Sequence, residues 1–157
     1  MVQAFVISRL DYCNALCYGI TDELTRCLQS VQNAAARLVK GTRRCDNISP
    51  VLRQLHWLPV RQRVVFKIAT LVHRSLSGNA PGYLADDCQL VADARVRQLR
   101  SADTPTLVGS RTRSSFGNRT FAAAGPQVWN SLPPNLRPCG LSYGQFRRLL
   151  KTFLFGQ

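Results

Sequence analysis

Residues 21–41 read TDELTRCLQSVQNAAARLVKG, and this stretch decides the fold class. Thr21 is suited to capping a helix, Asp22 and Glu23 complement the positive end of its dipole, and Lys40 with Gly41 closes it. Between these ends Leu24, Cys27, Leu28, Val31, Ala34, Ala35, Leu38 and Val39 recur at helical spacing, which predicts one long amphipathic helix with those residues as its apolar face. The run Ala34-Ala35-Ala36 lets a second helix approach closely. Upstream, residues 2–17 predict that partner. Val2, Phe5, Val6, Leu10, Cys13 and Cys17 fall on one face, Gln3, Ser8, Asp11 and Asn14 lie opposite, and Gly19 ends the segment. Residues 1–42 are therefore expected to form an antiparallel helical hairpin, apolar enough to pack on further protein.

Downstream, residues 43–80 predict a basic helical segment. Ser49-Pro50 reads as a cap and first-turn pair opening a short helix through Leu55, and Trp57-Leu58-Pro59 punctuates. From Val60 onward Val64, Val65, Ile68, Leu71, Val72 and Leu76 form one stripe. Arg61, Arg63, Lys67 and Arg74 fall mostly off it, as expected of an amphipathic helix with a basic exposed side. Gly78-Asn79-Ala80-Pro81-Gly82 breaks the helix, and residues 81–103, which hold an acid-rich stretch, are expected to form a linker or crossing. Residues 104–157 form a basic C-terminal segment. Within it, Thr106-Leu107-Val108 and the stretch through Phe116 to Phe121 predict two short strands around a turn. Pro126 through Leu132 reads as one or two helical turns anchored by Trp129. A terminal helix follows, opened by the capping box Ser142 with Gln145 and carrying Phe146, Leu149, Leu150, Phe153 and Leu154. The fold class is thus mainly α, with an N-terminal helical hairpin, basic amphipathic helices and a small β-hairpin in the C-terminal half.

Charge narrows the function. The 157 residues carry 21 Lys or Arg against 8 Asp or Glu, a formal net charge of +13. The excess sits in two blocks: residues 41–74 carry +6 and residues 104–157 carry +7 with no acid at all. Eighteen of the basic residues are arginine, whose planar guanidinium holds a phosphate by two parallel hydrogen bonds and stacks on a base. A polyanionic partner is expected. No apolar run reaches membrane-spanning length and no secretory signal pattern opens the chain, so no membrane partner and an intracellular location, nucleus or cytoplasm, are expected. The six cysteines show neither paired C-x-x-C spacing nor a Cys/His knuckle, so they read as reduced structural thiols, and His56 and His73 read as core histidines. No G-x-S-x-G elbow and no phosphate-binding loop occur. The expectation is a non-enzymatic chain without cofactor or metal.

Four strings occur in order: Ser8 to Asn14 (SRLDYCN), Leu28 to Leu38 (LQSVQNAAARL), Leu55 to Arg63 (LHWLPVRQR) and Pro126 to Pro133 (PQVWNSLP). Together they resemble the region that follows the polymerase palm in non-LTR (LINE-type) retrotransposon reverse transcriptases, from about residue 5 to residue 155. The resemblance implies that the hairpin 1–42 is thumb-like, that the remainder is a C-terminal extension, and that the chain derives from a protein handling element RNA and target DNA. It departs from the polymerase itself: two-metal chemistry requires clustered carboxylates, and Leu84-Ala85-Asp86-Asp87 lacks both the family's tyrosine and the third aspartate.

The expected function is therefore a non-catalytic fragment of a retrotransposon reverse transcriptase that binds RNA or an RNA/DNA hybrid. The candidate binding residues are Arg43, Arg44, Arg53, Arg61, Arg63 and Lys67 in the first block, and Arg111, Arg113, Arg119, Arg147, Arg148 and Lys151 in the second, with Trp57, Phe116 or Tyr143 as stacking platforms. The alternative is an orphaned structural or protein-interaction fragment whose apolar hairpin docks on a reverse-transcriptase core or another partner.

Overall fold

The helical reading of residues 21–41 holds in the computed structural model, which describes residues 2–92, 105–138 and 140–156, with only the backbone for residues 2 and 3. The expected crossing beyond residue 92, Cys139 and the side chain of Val2 lie outside the described residues. The helices are α1 (Val2–Asp11), α2 (Asp22–Lys40), α3 (Ile48–Gln54), α4 (Val60–Leu76), α5 (Gly82–Asp86), α6 (Phe121–Ser131) and α7 (Tyr143–Phe155). They fall into two compact units, Met1–Val65 with Leu154–Gln157, and Phe66–Phe153.

In the first unit α1 is shorter than expected. It stops at Asp11, Cys13 takes a left-handed conformation at φ 51°, and a 3₁₀ turn covers Asn14–Cys17. Val6 and Ile7 pack against a core of Ala35, Ala36, Val51, Leu52 and Trp57. The alanines of α2 therefore do admit neighbouring elements. The face that α2 buries is not the expected one. Gln32, Ala35 and Ala36 are buried, whereas Leu24, Val31 and Leu38 are 56%, 57% and 69% exposed. The helix is turned by about one residue, roughly 100°, because its glutamines have long-range partners. Gln32 Nε2 donates to the Leu58 carbonyl at 2.9 Å, and Gln29 Oε1 accepts from the Val60 N–H at 2.8 Å. The second bond satisfies an N–H that the first turn of α4 leaves without an intrahelical partner. Helix α3 starts two residues earlier than the Ser49-Pro50 reading, because Asn47 is the cap and its side chain accepts from Ser49 N at 3.0 Å. His56 is exposed in the turn after α3 at φ 54°, not in a core.

In the second unit the expected β-hairpin is absent: among the described residues there is no strand, only one antiparallel bridge between Leu90 and Leu107. The extended piece around Leu107 pairs outside its own segment. Val91 N donates to Thr106 O and Val108 N to Gln89 O, both at 2.9 Å. Leu107 itself is held by one side chain, its N–H donating to Asn130 Oδ1 at 3.0 Å and its carbonyl accepting from Asn130 Nδ2 at 2.9 Å. An amide thus occupies the place that a second strand would take. Residues 114–120 curl into a 3₁₀ turn, Gly117–Arg119, and Phe121 opens α6 rather than a strand. This helix contains Pro126, which leaves the Ala122 carbonyl without its usual N–H donor. Ser110 Oγ donates to that carbonyl at 2.9 Å. Gly125 lies against α4, where an added Cβ would come within 3.2 Å of Val72 Cγ2.

Aromatic packing completes the second unit. His73 is buried and stacks on Phe146 at a centroid distance of 4.3 Å, and Trp129 lies 5.9 Å from Phe146. Trp129 Nε1 donates to the Pro105 carbonyl at 3.0 Å. The capping box of α7 forms as read: Ser142 N donates to Gln145 Oε1 at 3.1 Å and Gln145 N to Ser142 Oγ at 3.4 Å. Phe146 and Leu150 are buried in this unit, and Leu154 is buried in the first. No helix of the described residues is long and apolar enough to cross a membrane.

Candidate nucleic-acid interface

The candidate basic residues divide between the units, and they differ in what they touch. In the first unit Arg43 and Arg44 are exposed on the loop between α2 and α3. That loop is pinned by the Arg43 N–H donating to Asp46 Oδ2 at 2.8 Å, so one carboxylate sits beside the basic pair. Arg53 is exposed and its Nη2 donates to the Phe155 carbonyl at 3.3 Å. Arg61 pairs with Asp22 on the surface.

Arg63 does not belong to the interface. It is 8% exposed. Its Nε donates to Leu58 O at 2.8 Å and its Nη1 to Asp11 Oδ1 at 2.6 Å. Two residues from Arg61, it turns inward because the carbonyl of Leu58 and the carboxylate closing α1 lie under the first turn of α4. Of the aromatic platforms, Trp57 is also removed, since it is 3% exposed in the core.

In the second unit Lys67, Arg111, Arg113, Arg147 and Arg148 are exposed, while Arg119 and Lys151 are partly covered. The guanidinium of Arg147 lies 5.5 Å from the ring centre of Tyr143 and 5.8 Å from that of Phe66, the neighbour of Lys67. This links the basic side of α7 to α4. Arg119 lies 5.6 Å from the ring of Phe116, which is 77% exposed. Arg111 and Arg113 are carried separately, on the loop fastened to α6 through Ser110. Arg74, expected on the basic side of α4 but not among the candidate binding residues, is exposed, and its Nη2 donates to Asn79 O at 3.0 Å. Sequence reading missed the pairing of Arg147 with two rings. The spacing of Tyr143 and Arg147, one helical turn apart, carried that signal.

Titratable groups are few. Burial lowers the pKa of His73 below its ordinary 6.5, opposed by the hydrogen bond to the Leu141 carbonyl, and burial raises that of the Cys88 thiol. Asp86 and Asp87 are exposed at the end of α5. Among the described residues no group of three His, Cys, Asp or Glu side chains is placed to hold a metal ion. No family model, curated protein or solved structure matches the chain.

Proposed function

We propose that the chain binds single-stranded RNA or an RNA/DNA hybrid as a non-catalytic portion of a retrotransposon reverse transcriptase. The observation that carries this reading is the pairing of arginine, exposed at Arg147 and partly covered at Arg119, with exposed aromatic rings in a segment without acidic side chains. Phe116 with Arg119 and Tyr143 with Arg147 each offer a base a stacking surface, while Arg111, Arg113, Arg148 and Lys67 supply phosphate contacts. Residues 104–157 contain no carboxylate to compete for these cations. The sequence resemblance supports the same ligand class.

Fluorescence anisotropy with a labelled single-stranded RNA and with an RNA/DNA hybrid, measured across salt, tests the proposal. Contact with four to six phosphates of a single strand gives a log–log slope of about −3 to −4. Replacing Arg111, Arg113 and Arg148 by Gln is expected to make the slope shallower by roughly 2. Binding that ignores salt, or a triple variant with the parent slope, overturns it.

A further inference from the structure

Helix α2 exposes an apolar seam that nothing in the first unit covers. Leu24, Cys27, Val31, Ala34 and Leu38 all lie on its solvent side, and their spacing of 3, 4, 3 and 4 residues is that of a heptad seam. The helix does not need this face to fold, since Gln32, Ala35 and Ala36 anchor it from the other side. We infer that α2 pairs antiparallel with α2 of a second copy of this chain, about a two-fold axis through Val31. The inference stands apart from the nucleic-acid reading.

Self-complementarity selects the occupant. A two-fold axis at Val31 sets Leu24 against Leu38, Val31 against its own copy, and small Ala34 against the Cys27–Leu28 turn. Like side chains thereby meet at the axis and at the ends, and the small Ala34 makes room between them for the Cys27–Leu28 turn. The charges agree with this direction: Glu23, beside the Asp22 that holds Arg61, begins α2, and the exposed Lys40 ends it. Antiparallel pairing brings acids to bases twice, by symmetry, and aligns the helix dipoles favourably. Parallel pairing would bring Glu23 to Glu23 and Lys40 to Lys40.

The size of the seam sets the strength. A helix of 19 residues is about 28 Å long. The exposed aliphatic groups on it amount to roughly 400 Å² per copy, about half of what a standard interface takes from each partner. The dimer is therefore weak, and screening of the repulsion between two chains of net charge +13 makes it tighten as salt rises.

Sedimentation equilibrium on the full chain, at concentrations from roughly 1 µM to roughly 1 mM, is expected to show the mass rising from monomer toward dimer. Val31→Glu is expected to stay monomeric throughout with an unchanged far-UV spectrum, since the position is 57% exposed. A monomer across the whole range, or a dimer indifferent to Val31→Glu, overturns the inference. Direction is read by disulfide trapping with Cys13, Cys27, Cys45 and Cys139 changed to Ser. Mixing Leu24→Cys with Leu38→Cys chains gives a linked heterodimer, and Leu24→Cys alone gives none. The reverse pattern means parallel pairing and likewise overturns it.

Discussion

Arg61 and Arg63 stand two positions apart on one helix and do opposite work. Arg61 meets Asp22 in solvent, both side chains mostly exposed, so water screens the pair and its net value is small. Arg63 is held by a carbonyl and a carboxylate under the first turn of α4, its own side chain 9% exposed and that of Asp11 47% exposed. Removing Arg63 takes from Asp11 its ion-pair partner, which water can replace in part, and leaves Leu58 O with the Gln32 amide alone. Arg63→Ala is expected to lower stability by about 1–3 kcal/mol, whereas Arg61→Ala changes it by less than about 0.5 kcal/mol. Urea denaturation followed by circular dichroism measures both, and equal effects would contradict the assignment.

His73 makes a second prediction at this scale. It is 3% exposed against Phe146, and burial lowers its pKa below the ordinary value. The unfolded chain therefore binds more protons than the folded one between the lowered value and about 6.5. In that window stability rises with pH, so it is complete above about 6.5 and falls as the solution is acidified through the folded value. The melting temperature is expected to drop on going from neutral to about pH 5, and His73→Gln should flatten the part of that slope due to this ring. A melting curve with the same pH slope in both proteins would assign the acid sensitivity to other groups.

At the scale of elements, α6 and the segment around Leu107 show how one amide replaces a strand. The alternation at Thr106-Leu107-Val108 does produce extended backbone, and its bonds to Gln89 and Val91 are those of a ladder. On its other edge Asn130 occupies both polar groups of Leu107, while Phe121-Ala122-Ala123-Ala124 follows its helical propensity instead of pairing. Leu107 is 2% exposed, so its N–H and carbonyl have little recourse to water. Asn130→Ala is expected to cost about 2–3 kcal/mol, and Asn130→Asp at least as much, since the carboxylate still accepts from the N–H but sets an oxygen against the Leu107 carbonyl where Nδ2 donated. Hydrogen exchange should locate the loss at the amide of Leu107.

The elements also show what was legible. The capping box of α7 was readable because Ser142 and Gln145 act within one turn. The alanine run of α2 was readable as a close-packing surface for the same local reason. The buried face of α2 was not, because the partners of Gln29 and Gln32 are 31 and 26 residues away. Hydrophobic periodicity alone puts Leu24, Val31 and Leu38 inside, and the tertiary hydrogen bonds turn them out. The end of α1 at Asp11 was likewise hidden, since no glycine marks the left-handed Cys13.

For the whole molecule, salt is the variable that separates the two proposed associations. Phosphate contacts release counterions, so RNA affinity falls as salt rises. Pairing of α2 seams opposes a net charge of +13 on each chain, so dimerisation strengthens as that charge is screened. Opposite signs in anisotropy and sedimentation on the same preparation are expected. If both associations weaken together with salt, the dimer is held by charge rather than by the apolar seam.

The amino-acid order alone determined the helical character of α2, α4 and α7, the C-terminal cap, the arginine excess and its two blocks. These depend on neighbours within a few residues or on composition, which local chemistry expresses in any tertiary setting. Only the tertiary structure decided which face α2 turns inward, that Arg63 is structural, and that Asn130 stands where a strand was expected. Each of those outcomes rests on a buried polar group finding a partner far along the chain, and the energy of such a match belongs to the pair rather than to either sequence position.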